Sequence, residues 1–152
     1  MEDALQPYRD DPATRIPVRV AVGRAWLEAR DAERALALAR EAQALEPAAP
    51  GPALLAMQML KLRPEAEGVV LDYLRQDKAE PQIRLAFVRE LTAAQRYPDA
   101  IAQLETVTRQ QPELAPPFLS LGALYLELKQ AREGEAALLR YVELTQKAAT
   151  AP

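Results

Sequence analysis

A fixed period, more than any single motif, restricts what this sequence can fold into. Pro98, Asp99 and Ala100 stand 34 residues after Pro64, Glu65 and Ala66, and 34 residues before Arg132, Glu133 and Gly134. Glu33, Arg34 and Ala35 take the same place further upstream, although Ala35 precedes Ala66 by only 31 residues. A second marker keeps the same phase: Trp26, Leu60, Leu91 and Tyr125 fill one bulky slot, and the step from it to the small residue is 9, 6, 9 and 9. A deletion of three residues is therefore expected in the second unit, between Leu60 and Ala66. Gly23 and Gly122, Trp26 and Tyr125, and Ala35 and Gly134 are each 99 residues apart, so three independent pairs agree on the phase. Periods of this length identify arrays in which each unit covers its neighbour's apolar face.

Each unit divides into two helical segments. The apolar spacing predicts first helices over residues 17–29, 51–61, 82–94 and 116–129, and second helices over 32–45, 64–76, 98–110 and 132–146. In the stretch RYPDAIAQLETVTRQQP, Ala100, Leu104 and Val107 make one face, Pro98 opens the helix and Pro112 closes it. Proline suits a first turn because its missing N–H has no partner there anyway, and the residue before a proline is pushed out of the α region. Composition agrees: Ala and Leu dominate, aromatics are 5%, and runs rich in Val, Ile and Thr are lacking. The small residues Ala35, Ala66, Ala100 and Gly134 would let the second helix of each pair approach the first.

These residues resemble the tetratricopeptide repeat, whose unit has a bulky, small, bulky pattern followed by a small residue and a closing proline. The first unit carries Val22, Gly23, Trp26, Ala35, Ala42 and Pro47, and the fourth Phe118, Leu121, Gly122, Tyr125, Gly134 and Tyr141. The third has Phe87, Val88, Leu91, Tyr97, Ala100, Leu104, Val107 and Pro112; the second departs most, with Met57 in the small slot and Lys78 replacing the proline. The resemblance implies an all-α chain: a right-handed α-solenoid of antiparallel helix pairs. Its expected division is an N-terminal segment 1–15, repeats at 16–49, 50–80 (shortened), 81–114 and 115–148, and a tail 149–152.

The ends suggest a segment of a longer, bacterial-type array. Asp10, Asp11 and Pro12 resemble the close of a preceding repeat. The last helix is apolar on a wide arc, with Leu138, Leu139, Tyr141, Val142 and Leu144, where a solenoid normally ends in a polar cap. Leu139 and Val142 are accordingly the candidates for self-association, which would make the chain a homo-oligomer through its C-terminal helix. The start MEDALQPYRDD has no apolar h-region and no stretch is long enough to span a membrane, so membrane insertion is not expected. The compartment is not encoded in these residues.

Chemistry-bearing groups are sparse. There are no histidines and no cysteines. General acid–base catalysis by histidine, thiol chemistry and Cys/His metal sites are thereby excluded. Ser120 is the sole serine and lies in a predicted helix without an activating base. Carboxylate pairs such as Glu133 and Glu135 read as solvated faces, and no glycine-rich phosphate loop or calcium loop occurs. Trp26, Tyr73 and Tyr141 fall in packing slots. With 19 basic and 22 acidic residues the net charge is -3, a poor fit to nucleic acid. No enzyme activity, no metal and no cofactor are expected.

What remains is recognition. In tetratricopeptide arrays the first helices line a concave face that takes extended or helical peptides. Matched by phase, that face holds Val20, Arg24 and Leu27, then Leu54 and Gln58, then Leu85 and Arg89, then Leu119, Ala123 and Leu126. Val20, Leu54, Leu85 and Leu119 form an apolar line flanked by Arg24 and Arg89, suited to a peptide with hydrophobic anchors and a carboxylate. The partner is expected to be a protein or peptide; the chain has no asparagine, which argues against the clamp that holds chaperone tails. The alternative is a structural segment that self-associates through its terminal helices.

Overall fold

A computed structural model describes residues 2–150, all but the few connecting residues being helical. Among them no strand occurs. The helices are α1 (Glu2–Asp10), α2 (Arg15–Glu28), α3 (Ala32–Leu45), α4 (Gly51–Met57), α5 (Glu67–Leu74, entered through a turn of 3-10 helix at Pro64–Ala66), α6 (Pro81–Ala93), α7 (Tyr97–Gln110), α8 (Pro116–Glu127) and α9 (Ala131–Thr150). Of the expected terminal segments, residue 1 and residues 151–152 lie outside the described residues. The chain forms two compact units that meet in sequence between Ile83 and Arg84.

In the first unit α2 packs on α3 and α4 on α5, and the two pairs stack through α2 against α4 and α3 against α4 and α5. The preceding α1 packs on α2, tied there by Arg19, whose guanidinium donates to the carbonyl of Arg9 at 2.9 Å. The helix ends follow from local chemistry. Asp31 caps α3 by accepting the N–H of Arg34 at 3.0 Å. Glu46, just before Pro47, has φ -140 and ψ 87, and Arg63, before Pro64, has φ -135 and ψ 88, as steric crowding by proline requires; α3 ends at the first, and the second precedes the turn that opens α5. Ala35, Ala39, Ala42, Ala53 and Ala56 are fully buried, which lets backbones approach where larger side chains would hold them apart. Tyr73 is buried and its hydroxyl accepts the Glu80 N–H at 2.9 Å, closing the loop after α5.

In the second unit α7 packs on α8 and α8 on α9. Ala100, Leu104 and Val107 are buried on one face of α7, and Gln111, before Pro112, has φ -131 and ψ 69. Gly122 and Gly134 mark the closest approach of α8 and α9: a Cβ on Gly122 would lie 2.6 Å from both Cγ and Cδ2 of Leu138 and 3.4 Å from the Gly134 carbonyl oxygen. Arg84 is buried at 8% exposure, with its guanidinium donating to Gln103 Oε1 at 2.5 Å.

The turns within the helix pairs restate the period in backbone form. Arg30, Gln95 and Lys129 have φ of 66, 59 and 61, the left-handed conformation that ends a helix in a Schellman turn. In each case the next residue's N–H reaches the carbonyl of the bulky residue: Asp31 to Trp26, Arg96 to Leu91 and Gln130 to Tyr125, all at 2.8 Å. The second pair has no such residue. There Arg63 donates to Met59 at 2.7 Å, a turn one residue shorter.

That bond revises the reading of the second unit. Met59, wholly buried, takes the place of the bulky residue, and Ala56, wholly buried three residues earlier, takes the small slot. Leu60 and Met57 were expected there, but the turn bond that marks the slot goes to the Met59 carbonyl. One residue is thus lost before Met59 and two between it and Ala66. The physical cause is that α4 ends after 7 residues, so the chain reaches its turn early and an unbranched methionine fills the space. Both helices of this pair are short, 7 and 8 residues against 14 and 14 in the first pair.

Candidate interaction surface

In the first unit the expected surface divides by exposure. On α2, Val20 and Leu27 are half-buried and Arg24 is exposed; Leu54 on α4 is 39% exposed, and Gln58 at its C-terminal end is exposed. Val20 lies against the start of α4, its Cγ2 3.1 Å from where a Cβ on Gly51 would stand. Leu27 opens into a depression of about 740 Å³ shared with Arg30, Asp31, Glu33, Arg63 and the exposed Leu62. Arg63 pairs there with Glu33 at 3.6 Å and, outside the wall, with Glu65 at 3.2 Å, while Arg30 is exposed. Hydrogen bonds from its own backbone N–H and from Arg63 hold the Glu65 carboxyl below the usual carboxylate range.

A second depression of the first unit, about 510 Å³, lies between α3 and α5 and was not anticipated. Gln43 bridges the helices by donating to the Val69 carbonyl at 2.7 Å, and Gln76 donates to the Pro47 carbonyl. Its charged wall residues include Arg40, Glu65 and Asp72, the last paired with Arg75 at 2.5 Å. Trp26 is half-buried, with the Arg34 guanidinium 4.4 Å from its ring centroid, a cation–π contact within one hairpin.

In the second unit Leu85 is half-buried, Arg89 and Ala123 are exposed, Leu119 is 45% exposed and Leu126 is 47% exposed. Leu126 also leans on its own partner helix, its Cδ2 2.9 Å from where a Cβ on Gly134 would be. Arg89 and Ala123 come together in a depression of about 470 Å³ between α6 and α8, with Val88, Thr92, Ala93, Ser120 and Leu124. Leu85 and Leu119 lie outside it. The other five wall residues escaped the sequence reading, which followed the slots of one phase and not the adjoining strip one helical step away. The signal that could have found them is Val88 itself, an apolar residue where the pattern asks for a small one.

The titratable groups offer little reaction chemistry. Tyr125 donates its hydroxyl to Glu105, and that bond, with lesser contributions from burial and the negative charge, pushes its pKa up to about 12. Burial, followed by the charge of Arg109, lowers the pKa of Arg84. Among the described residues no group of three or more acidic, cysteine or histidine side chains is placed to hold a metal ion, and no helix is long and apolar enough to cross a membrane. Ser120 is exposed, with its hydroxyl turned to the Pro116 carbonyl at 3.5 Å. On α9, Leu139 and Val142 are 60% and 45% exposed, while Gly134, Ala137 and Leu144 of the same helix are buried.

Stacked helix pairs with small residues at their crossings, without strands among the described residues, define an α-solenoid of the tetratricopeptide type. Solved structures with this fold include MamA of MSR-1, 16% identical over 95% of this chain and 84% of that one, with a TM-score of 0.60. MamA of AMB-1 is also 16% identical, over 97% and 85%, with a TM-score of 0.62. PilF of Pseudomonas aeruginosa is 18% identical over 86% of this chain and 61% of its own length, with a TM-score of 0.54. No protein-family model matches the sequence, and no curated protein matches it.

Proposed function

We propose that the chain is a non-catalytic interaction module, built from repeats at 16–49, 50–80, 81–114 and 115–148, that binds a peptide or protein segment on the faces of its first helices. The carrying observation is the exposure of large apolar side chains on those helices, Leu54 and Leu119, beside the exposed Arg24 and Arg89. Neither arginine has an ion pair or hydrogen bond among the described residues. Val20, Leu27 and Leu85, half-buried, supply apolar ground next to them, and Gln58, Ala123 and Leu126 complete the surface. Groove recognition of this kind draws affinity from apolar anchors and specificity from a few placed charges.

The test is selection from a random displayed-peptide library against the full chain, followed by anisotropy with the selected peptides. Leu54→Glu or Leu119→Glu should reduce binding at least tenfold while far-UV circular dichroism is unchanged. Peptides that bind both variants as well as the wild type would overturn the reading, as would a selection that yields none.

A second reading rests on Leu139 and Val142, which present exposed apolar surface on a helix whose other face is buried. Such a face is covered when two copies associate. Light scattering should then show mass rising with concentration, and Leu139→Glu with Val142→Glu should return the chain to a monomer; a wild-type chain that is monomeric at all concentrations refutes it.

A further inference from the structure

Three depressions differ in what their walls can still bind. The two in the first unit contain carboxylates already paired with arginines: Glu33 and Glu65 with Arg63, and Asp72 with Arg75. Each also has an exposed arginine in its wall, Arg30 in one and Arg40 in the other, set among those carboxylates. The depression between α6 and α8 is different. Its floor is Val88 and Leu124, 6% and 7% exposed, and no carboxylate lines it. Both hydroxyls of its wall are turned back on their own helices, Thr92 donating to the Val88 carbonyl at 2.8 Å and Ser120 to that of Pro116 at 3.5 Å. The one charged group in the wall is Arg89, exposed and without an ion pair or hydrogen bond among the described residues.

We infer that this depression seats an aliphatic side chain of a partner peptide whose neighbouring Asp or Glu side chain pairs with Arg89. The inference rests on the interaction reading above and names the chemistry of the occupant. An apolar floor rewards removal of aliphatic surface from water. The wall gives an uncharged polar group on the ligand no free side-chain donor except the guanidinium, which favours a carboxylate over an amide because the bond is then charge-assisted. A lysine in the same place would meet a like charge. The volume of about 470 Å³ lies within the range of ligand-binding depressions, roughly 300–1,000 Å³. The α8 wall is mid-helix and the α6 wall runs to that helix's last residue, Ala93; the carboxylate is assigned to a side chain of a peptide that crosses the seat, and amidating the peptide C-terminus tests that assignment.

The experiment uses the library-selected peptides, synthesised with amidated C-termini, against the full chain. The selected sequences should pair Leu, Ile or Val with a nearby Asp or Glu. Ala123→Phe, and independently Ser120→Phe, plug the depression from exposed positions and should weaken binding at least tenfold with helicity intact. Replacing the acidic residue by its amide should weaken binding by about three- to fivefold, the range of an exposed ion pair, and Arg89→Gln should erase that difference. A basic or uncharged consensus, loss of binding on amidation, unchanged affinity in both plugged variants, or a carboxylate preference retained in Arg89→Gln would each overturn the inference. Peptides that respond to Leu54→Glu but to neither plug would remove this seat and leave the interaction reading standing; a selection that yields no peptide removes both.

Discussion

The same substitution at two glycines should move stability in opposite directions. Gly68 is exposed on α5, and a Cβ placed on it meets nothing within 4 Å. Gly68→Ala therefore gains only the helix preference of alanine, about 0.8–1.0 kcal/mol. Gly122 on α8 has the same gain available, but its Cβ would stand 2.6 Å from Cγ and Cδ2 of Leu138, where carbon atoms settle at about 3.5–4.0 Å. Since the stem carbon is as close as the methyl, Leu138 must leave its rotamer and not merely swing its end, and α8 must shift from α9 if it cannot. Overpacking of this kind costs about 1–3 kcal/mol. The net effect of Gly122→Ala is a destabilisation of about 1 kcal/mol, and the gap between the two variants is about 2 kcal/mol. For a chain of this size 1 kcal/mol corresponds to about 2–4 °C in Tm. Urea and thermal unfolding followed by far-UV circular dichroism should place Gly68→Ala above the wild type and Gly122→Ala below it. In a Leu138→Ala background the clash is gone, and Gly122→Ala should become stabilising, a coupling that a double-mutant cycle measures. If Gly122→Ala is as stable as Gly68→Ala with Leu138 intact, the close approach of α8 and α9 is not what requires glycine there.

Two other tests follow from the backbone and from Tyr125. Lys129 has φ 61, which L side chains adopt at a cost, so Lys129→Gly should stabilise by about 0.5–1 kcal/mol in the same unfolding assay; Leu62→Gly, in the turn that lacks a left-handed residue, should lower stability instead. Tyr125 has its pKa raised from 10.0 to about 12 by its bond to Glu105, so the stability it contributes is present in full below pH 10 and is lost as pH rises from there towards 12. Denaturant midpoints measured across that window should fall for the wild type and fall less for Tyr125→Phe, and the ultraviolet titration of that variant should lack a late-ionising tyrosine.

Much of the fold is legible in the residues because its causes are local. Prolines 47, 64 and 112 each force the residue before them out of the helical region; α3 and α7 stop before Pro47 and Pro112, and Pro64 opens the helical turn into α5. The small residues Ala35, Ala66, Ala100 and Gly134 recur where two helices must touch, and all four are buried. Period and helix pairing thus follow from covalent sterics and from spacing, which a chain carries in any conformation. The register of the second unit does not, because it depends on how a helix of 7 residues meets its neighbours; only the packed structure shows Met59 filling the slot that a constant period assigns to Leu60. The proposed binding surface divides in the same way. Arg89 and Ala123 are recoverable from phase, but the depression they share also needs Val88 and Leu124 from two helices whose relative placement no spacing along the chain encodes. Sequence alone determined the repeating helix pair, since each turn and crossing is set by residues close in the chain. Which uncommitted side chains come together as a surface was decided by tertiary packing, since it depends on distances between helices separated by a whole repeat.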